Sequence, residues 1–192
     1  MSFVGAHFPF EAAAGIEIVV FDVDGVLTDG KIRIDDHGRE IKAFDVRDGH
    51  GIKLLQRAGV QAAILTGRES DVVRHRAAEL GISYVRQRCL DKAAGLAALL
   101  EEAGIAPEKA AFFGDDVIDL PAMRLCRLSF APADAHPAVR KHADWISDFA
   151  GGKGAVRQMA EALILARGAW DRVMRKRYGI SPEDCGWPTI GA

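Results

Sequence analysis

Short apolar runs alternate along the chain with longer stretches whose apolar residues recur at helical spacing. Residues 16–21 form a run interrupted only by Glu17, and residues 61–65, 83–86, 110–113 and 125–131 repeat the type. Each predicts a buried strand. Between two of them, residues 71–80 set Val72, Val73, Arg76 and Leu80 at helical spacing, and Gly81 supplies the stop. Leu96, Leu99 and Leu100 do the same ahead of Gly104, and Pro107 bars the helix from continuing. Strands alternating with helices in this way predict an α/β fold, a parallel sheet covered by helices on both faces.

Residues 31–44 break the rhythm. Ile32 and Ile34 alternate on one arm and Ile41 and Ala43 on the other, around Asp35-Asp36-His37-Gly38, which predicts a β-hairpin inserted after the first strand, at about 30–45. Two strands alone are marginal in water, so its isoleucine face is expected to lean on something. After Gly151 the pattern is helical through Met159, Leu163 and Leu165, then amphipathic and basic from Trp170 to Tyr178. Residues 180–192, with Pro182 and Pro188, read as a flexible tail. The expected organisation is an N-terminal extension (1–15), an α/β domain (16–167), and a C-terminal helix with its tail (168–192).

Composition narrows the classes. With 192 residues, 49% hydrophobic and 27% charged, the chain has the make-up of a globular protein, and a chain of this size buries roughly 70% of its unfolded surface. Lys and Arg number 25 against 27 Asp and Glu, a net charge of −2 that offers no basic field for nucleic acid. Three cysteines, Cys89, Cys126 and Cys185, show no CxxC spacing, so neither a disulfide framework nor a zinc knuckle is expected and a reducing cytoplasm fits. No apolar stretch approaches the roughly 20 residues of a membrane span, and the N-terminus carries no positive charge ahead of its apolar part, unlike a secretory signal.

Four polar islands follow predicted strands, where open α/β sheets place their ligands. The first is Asp22, Asp24 and Gly25, two carboxylates after a buried strand and a glycine that lets backbone come close. The second is Thr66, Gly67 and Arg68, which by itself equally reads as a helix N-cap. Lys92 opens a helix after the third strand of the sheet. Asp115, Asp116 and Asp119 come last, three acids in five residues that repel one another unless a cation or basic partner is present. The histidines, His37, His50, His75, His136 and His142 among them, show no metal-ligand spacing and read as surface or helix-start residues.

The four islands in this order resemble the haloacid dehalogenase superfamily of phosphotransferases, in which DxDGV, a hydroxyl residue, a lysine and GDDxxD follow one another on a Rossmann-like sheet. The resemblance runs from about Ile16 to Arg167. It implies Asp22 as the nucleophile that forms an aspartyl-phosphate and Asp24 as the general acid and then base. It further implies Mg2+ held by the carboxylates of Asp22 and Asp115 and the backbone carbonyl of Asp24, with Asp116 and Asp119 completing or orienting the shell. Thr66 would bond a phosphoryl oxygen, and Lys92 would neutralise charge on nucleophile and phosphate.

The intervals between islands leave no room for a cap domain. Residues 28–55, TDGKIRIDDHGREIKAFDVRDGHGIKLL, with GDDVIDLPAM, ADAHP and GGKGAVR, resemble the capless 3-deoxy-D-manno-octulosonate 8-phosphate phosphatase family. That resemblance implies a sugar-acid phosphate as substrate and a homo-oligomer, a homotetramer, built on the hairpins, with each subunit helping to cover its neighbour's site. Arg68, Arg47, Asp48, Gly67 and Lys153 become candidate substrate contacts, Lys153 as part of a glycine loop opening a helix. Two other readings stay open: a phosphatase for another sugar-acid phosphate such as N-acylneuraminate 9-phosphate, and a non-catalytic oligomeric module.

Overall fold

The computed structural model describes residues 7–188. Six strands form one parallel sheet: β1 (Ile18–Phe21), β4 (Gln61–Leu65), β5 (Tyr84–Arg86), β6 (Ala110–Phe113), β7 (Leu128–Ala131) and β8 (Trp145–Ile146), in the order β5-β4-β1-β6-β7-β8. The remaining two, β2 (Arg33–Ile34) and β3 (Glu40–Ile41), are the antiparallel arms of the predicted hairpin. β1 lies between β4 and β6 and is buried along its whole length. Its side chains alternate between the two faces, as the pleat requires. Val19 and Phe21 enter a core shared with α2 (Val46–Arg57), α3 (Asp71–Leu80) and α7 (Ala155–Ala166), whereas Ile18 and Val20 meet Leu96, Leu99 and Leu100 of α4 (Lys92–Ala103). The expected α/β sheet with helices on both faces is the observed one. α3 and α4 end at Gly81 and Gly104, both left-handed, where the sequence placed their stops.

The connection order creates the ligand crevice. From β1 the chain moves outward through β4 and β5, then returns to β6 on the other side of β1. The loops after β1 and β6 therefore diverge, and the gap between them is where such sheets bind ligands.

Four expectations change. Strand β7 begins at Leu128 rather than Leu125, because Leu125 and Cys126 still close the turn of α5 (Leu120–Met123) through bonds to Ala122 and Met123. β8 was not foreseen; two residues are too few to show a period. The hairpin has no single isoleucine face: Ile34 pairs with Glu40 and Ile41 with Arg33, and paired residues point the same way, so Ile34 and Ile41 lie on opposite faces. Finally, the C-terminal segment does not stand free. After a wide turn (Asp171–Arg175) and α8 (Lys176–Tyr178), it brings Trp187 into the core, fully buried, with Nε1 donating to Glu161 Oε2 at 3.1 Å. The part of the tail from 189 on lies outside the described residues, as do residues 1–6 of the N-terminal extension. The rest of that extension packs too: Phe8 stacks on Phe130 and meets Trp145 edge-on. No helix among the described residues is long and apolar enough to cross a membrane.

Candidate active site

The floor of the site is the end of β1. Asp22 is the first residue beyond the strand, its N–H donating to Phe113 O at 3.0 Å, so the central ladder runs one step into the loop and fixes the carboxylate. Gly25 takes φ +92 and lies against Asp115, so close that a Cβ there would overlap that carboxylate. This close approach is the reason for a glycine after the DxD pair. From β6, Gly114 leads to Asp115. Asp119 then folds back within its own turn, its Oδ2 accepting from the N–H groups of Asp115 (3.1 Å) and Asp116 (3.4 Å). Carboxylate oxygens of Asp22, Asp115 and Asp119 lie within 4.8 Å of one another.

Lys92 enters from the first turn of α4, whose N-cap Asp91 accepts from Ala94 N at 3.0 Å. Its buried ammonium donates to Leu65 O and Asp119 Oδ1, both at 2.8 Å, and stands 2.9 Å from Asp22 Oδ1. With the ammonium aimed at the first two acceptors, Asp22 Oδ1 receives its charge without a directed hydrogen bond. Burial works against the Lys92 cation, but the charges of Asp22 and Asp119 outweigh it and hold its pKa above the ordinary lysine value. One ammonium is not enough for three carboxylates. Burial, reinforced by Asp119, raises Asp22 to about 6, and burial with the charges of Asp22 and Asp119 raises Asp115 to about 8.

These observations bear on whether the residues suit a metal. Asp115 Oδ1 is buried without a hydrogen-bond partner, a costly arrangement unless something else fills its coordination. Together with an all-oxygen donor set and surplus negative charge, it fits a small, hard divalent cation such as Mg2+.

The structure sorts the remaining predicted residues. Thr66 is buried at the end of β4, its hydroxyl accepting from Arg68 N at 3.4 Å, and Gly67 lies beside it against the Cys89–Leu90 backbone and side chain. Asp24 is outside the acidic trio; its carboxylate pairs with Lys42 and lies 3.7 Å from Arg68 Nε. Asp116 is exposed and caps the turn that follows through Val117 N at 2.7 Å. Two expected substrate contacts are otherwise engaged. Asp48 is buried and accepts from Gly154 N (3.1 Å) and Arg157 N (2.8 Å), so it caps α7. Arg47 is spent in its own turn on Asp45, at 2.8 Å. Lys153 is exposed on a loop held against the first island by Gly152 N donating to Val26 O at 2.9 Å. Gly151 is in such contact with Gly25 O that a side chain there has no space. His50 is turned from the trio toward Tyr178 and Arg157.

Sequence reasoning missed Glu40 and Lys42, the hairpin residues that reach Asp24 and Arg68. The available signal was their alternation in the hairpin run, two positions apart with Lys42 directly after β3.

Comparison with known proteins agrees with this geometry. Residues 85–159 match the family profile described as haloacid dehalogenase-like hydrolase. The chain is 45% identical over 159 residues to the 3-deoxy-D-manno-octulosonate 8-phosphate phosphatase KdsC of Escherichia coli, covering 83% of this chain and 85% of that protein. Among solved structures, the Moraxella catarrhalis 3-deoxy-D-manno-octulosonate 8-phosphate phosphatase, in complex with magnesium ion, phosphate ion and KDO, superposes with a TM-score of 0.84 at 37% identity, over 87% of this chain and 96% of that one. The cobalt-bound Haemophilus influenzae enzyme gives 0.82 at 42% identity, over 86% and 97%. The chain therefore belongs to the 3-deoxy-D-manno-octulosonate 8-phosphate phosphatase family, within the haloacid dehalogenase-like hydrolases.

Proposed function

We propose that the chain hydrolyses 3-deoxy-D-manno-octulosonate 8-phosphate to the free sugar acid and inorganic phosphate. The observation that carries this is the pairing of Asp22 with a buried ammonium at the rim of an acidic trio that contains an unpartnered oxygen. A carboxylate so placed is a nucleophile with its charge compensated. An Asp22 oxygen attacks phosphorus, the bond from phosphorus to the sugar oxygen breaks, and the departing oxygen takes a proton from Asp24. Asp24, now a carboxylate, accepts a proton from water as that water attacks phosphorus, and the Asp22–phosphorus bond breaks to release phosphate. Lys92 compensates Asp22 throughout, and Thr66 is within reach of the same sheet edge to bond a phosphoryl oxygen. Asp22, Asp115 and the Asp24 carbonyl would hold Mg2+, which would supply positive charge at the acidic edge against the approaching phosphate dianion.

We assign Arg68, which also pairs with Glu40 through Nη2, and Lys153 to the substrate's acid groups, with Gly67 leaving backbone room beside Arg68; guanidinium suits a carboxylate by its planar fork. We further place the chain in a homotetramer joined through its hairpins, a reading supported by Ile34 and Ile41, exposed at 64% and 52%. A cytoplasmic location agrees with three unpaired cysteines.

The test is phosphate release from this substrate and from N-acylneuraminate 9-phosphate, with magnesium and with chelator. The octulosonate ester is expected to turn over faster, chelation to silence the enzyme, and Asp22→Asn to lower turnover by at least about 10⁴-fold. Turnover by the Asn variant would overturn the covalent route, and preference for the nine-carbon ester the substrate.

A further inference from the structure

The hairpin enters the site through its polar residues. Glu40 lies on β3 and Lys42 directly follows that strand, two positions on, and their side chains meet on the side of Asp24 and Arg68. The Lys42 side chain is 2% exposed. Its ammonium pairs with Asp24 Oδ1 and lies 3.3 Å from Glu40 Oε1. Arg68, from the loop after β4, completes a ring: Nη2 is 3.0 Å from Glu40 Oε1 and Nε 3.7 Å from Asp24 Oδ2. With Asp24 ionised, as in the step where it acts as base, two cations face two carboxylates and the ring is neutral; with Asp24 protonated for the acid step the ring carries one positive charge.

We infer that Lys42 is a positioning residue for the proton-transferring Asp24, an inference that rests on the phosphatase reading above. Asp24 is only two residues from Asp22, yet its carboxylate is outside the trio formed by Asp22, Asp115 and Asp119. An acidic side chain beside a cation site would ordinarily be drawn into it. Lys42 holds it on the hairpin side by one oxygen. The other, Oδ2, faces Arg68 Nε at 3.7 Å as an ion pair without a hydrogen bond, and it is the oxygen left to carry the proton to the departing oxygen. Glu40 balances the ammonium, so Lys42 anchors the carboxylate without adding an uncompensated charge. Burying an ammonium this completely is costly unless it is paired, and both of its ion-pair partners belong to this ring. The β-ribbon that presents isoleucines to a neighbour thereby also aims the acid.

The experiment separates aim from fold by the leaving group. Values of kcat/KM, which report phosphoryl transfer to Asp22, are measured for a series of substituted phenyl phosphates with magnesium, in wild type, Lys42→Met, Lys42→Arg and Asp24→Asn. Loss of an aimed acid hurts esters of poor leaving groups and spares good ones. Lys42→Met is expected to lose about 10²-fold on phenyl phosphate and under about threefold on dinitrophenyl phosphate, matching the steeper dependence of Asp24→Asn. Lys42→Arg should restore most of the wild-type slope. A uniform loss across the series, which partial unfolding or a merely structural role would produce, overturns the inference. If Lys42→Met does not fold, the double variant Lys42→Met with Glu40→Gln removes one charge of each sign and is read by the same slope. A wild type that releases no phosphate from any ester sinks the phosphatase reading itself, whereas an active wild type whose slope is unchanged in the variants sinks only the role of Lys42.

Discussion

The two appendages of the sheet invert what their compositions suggest. The hairpin reads as an alternating ribbon whose isoleucine face should be covered, yet it exposes Ile32, Ile34 and Ile41, and each of its strands is two residues long. The C-terminal segment from 168 on reads as charged, proline-broken and loose, yet it buries Trp170, Val173, Met174 and Trp187. The difference lies in available partners. The C-terminal segment finds its own chain: Trp170 Nε1 donates to Ile180 O at 3.2 Å, and Arg172 caps the end of α2 through Arg57 O at 2.5 Å. Arg172 satisfies backbone at the end of α2 and Arg175 pairs with Asp171, which leaves the aromatics free to pack. The hairpin engages Asp24, Asp29 and Arg68 with its polar residues, and its isoleucines stay exposed. Hydropathy states what a segment would bury; the partner within reach decides whether it does.

The strongest way to break this contrast is Trp187→Ala. Removing a fully buried indole costs about 3–5 kcal/mol, read by denaturant unfolding with kcat within a few-fold of wild type. A loss below about 1 kcal/mol would return the segment to the category of a loose tail. Glu161→Ala is the milder version. Glu161 accepts from Trp187 Nε1 at 3.1 Å and from Arg157 Nε at 2.6 Å, so its removal strands two donors and is expected to cost about 1–3 kcal/mol. The pair of variants should be less than additive, since both act on one contact.

The same logic of partners explains what was legible in the sequence. Strands β1, β4 and β6 were visible because continuous apolar runs in a parallel sheet are buried on both faces by helices of the same domain, whereas β5, half-buried at the sheet edge, showed only Tyr84 and Val85. The acidic trio was visible because its members follow strand ends, whose convergence is a property of the sheet. Asp48 has a structural role the sequence did not show, because its N–H donors, Gly154 and Arg157, are more than a hundred residues away. Lys42 was overlooked because a lysine in an alternating run reads as the solvent face. Trp187 was hidden by the prolines and glycine around it, which set turns and say nothing about what the turns carry.

Between the appendages lies the acidic edge, where the missing partner is a cation. Asp22 and Asp115 hold protons to about 6 and about 8, burial being the main cause, whereas in the unfolded chain both ionise near 4. The folded state therefore binds protons that the unfolded state has released, and stability from this source, full below about pH 4, is lost as pH rises toward 8. Chelated protein is expected to lose several degrees of melting temperature between pH 5 and 8. Magnesium should stabilise most at the upper end, where no protons need to be displaced. A magnesium shift equal at both pH values would remove the trio as the cation site.

The hairpin gives the smallest effect on the body of the fold and the clearest one on assembly. Aspartate at Ile34 and Ile41 places charge on side chains already 64% and 52% exposed, so the unfolding free energy of the domain should move by no more than about 0.5 kcal/mol. If the hairpins join the copies, the same double variant runs as a monomer in light scattering, because a charge buried at an apolar interface without a partner is prohibitive. An unchanged oligomer would mean that the subunits meet elsewhere. The single variants locate the contact further, since register puts the two isoleucines on opposite faces. A ribbon enclosed on both sides fails with either aspartate alone, whereas a ribbon that docks by one face tolerates the aspartate on the other.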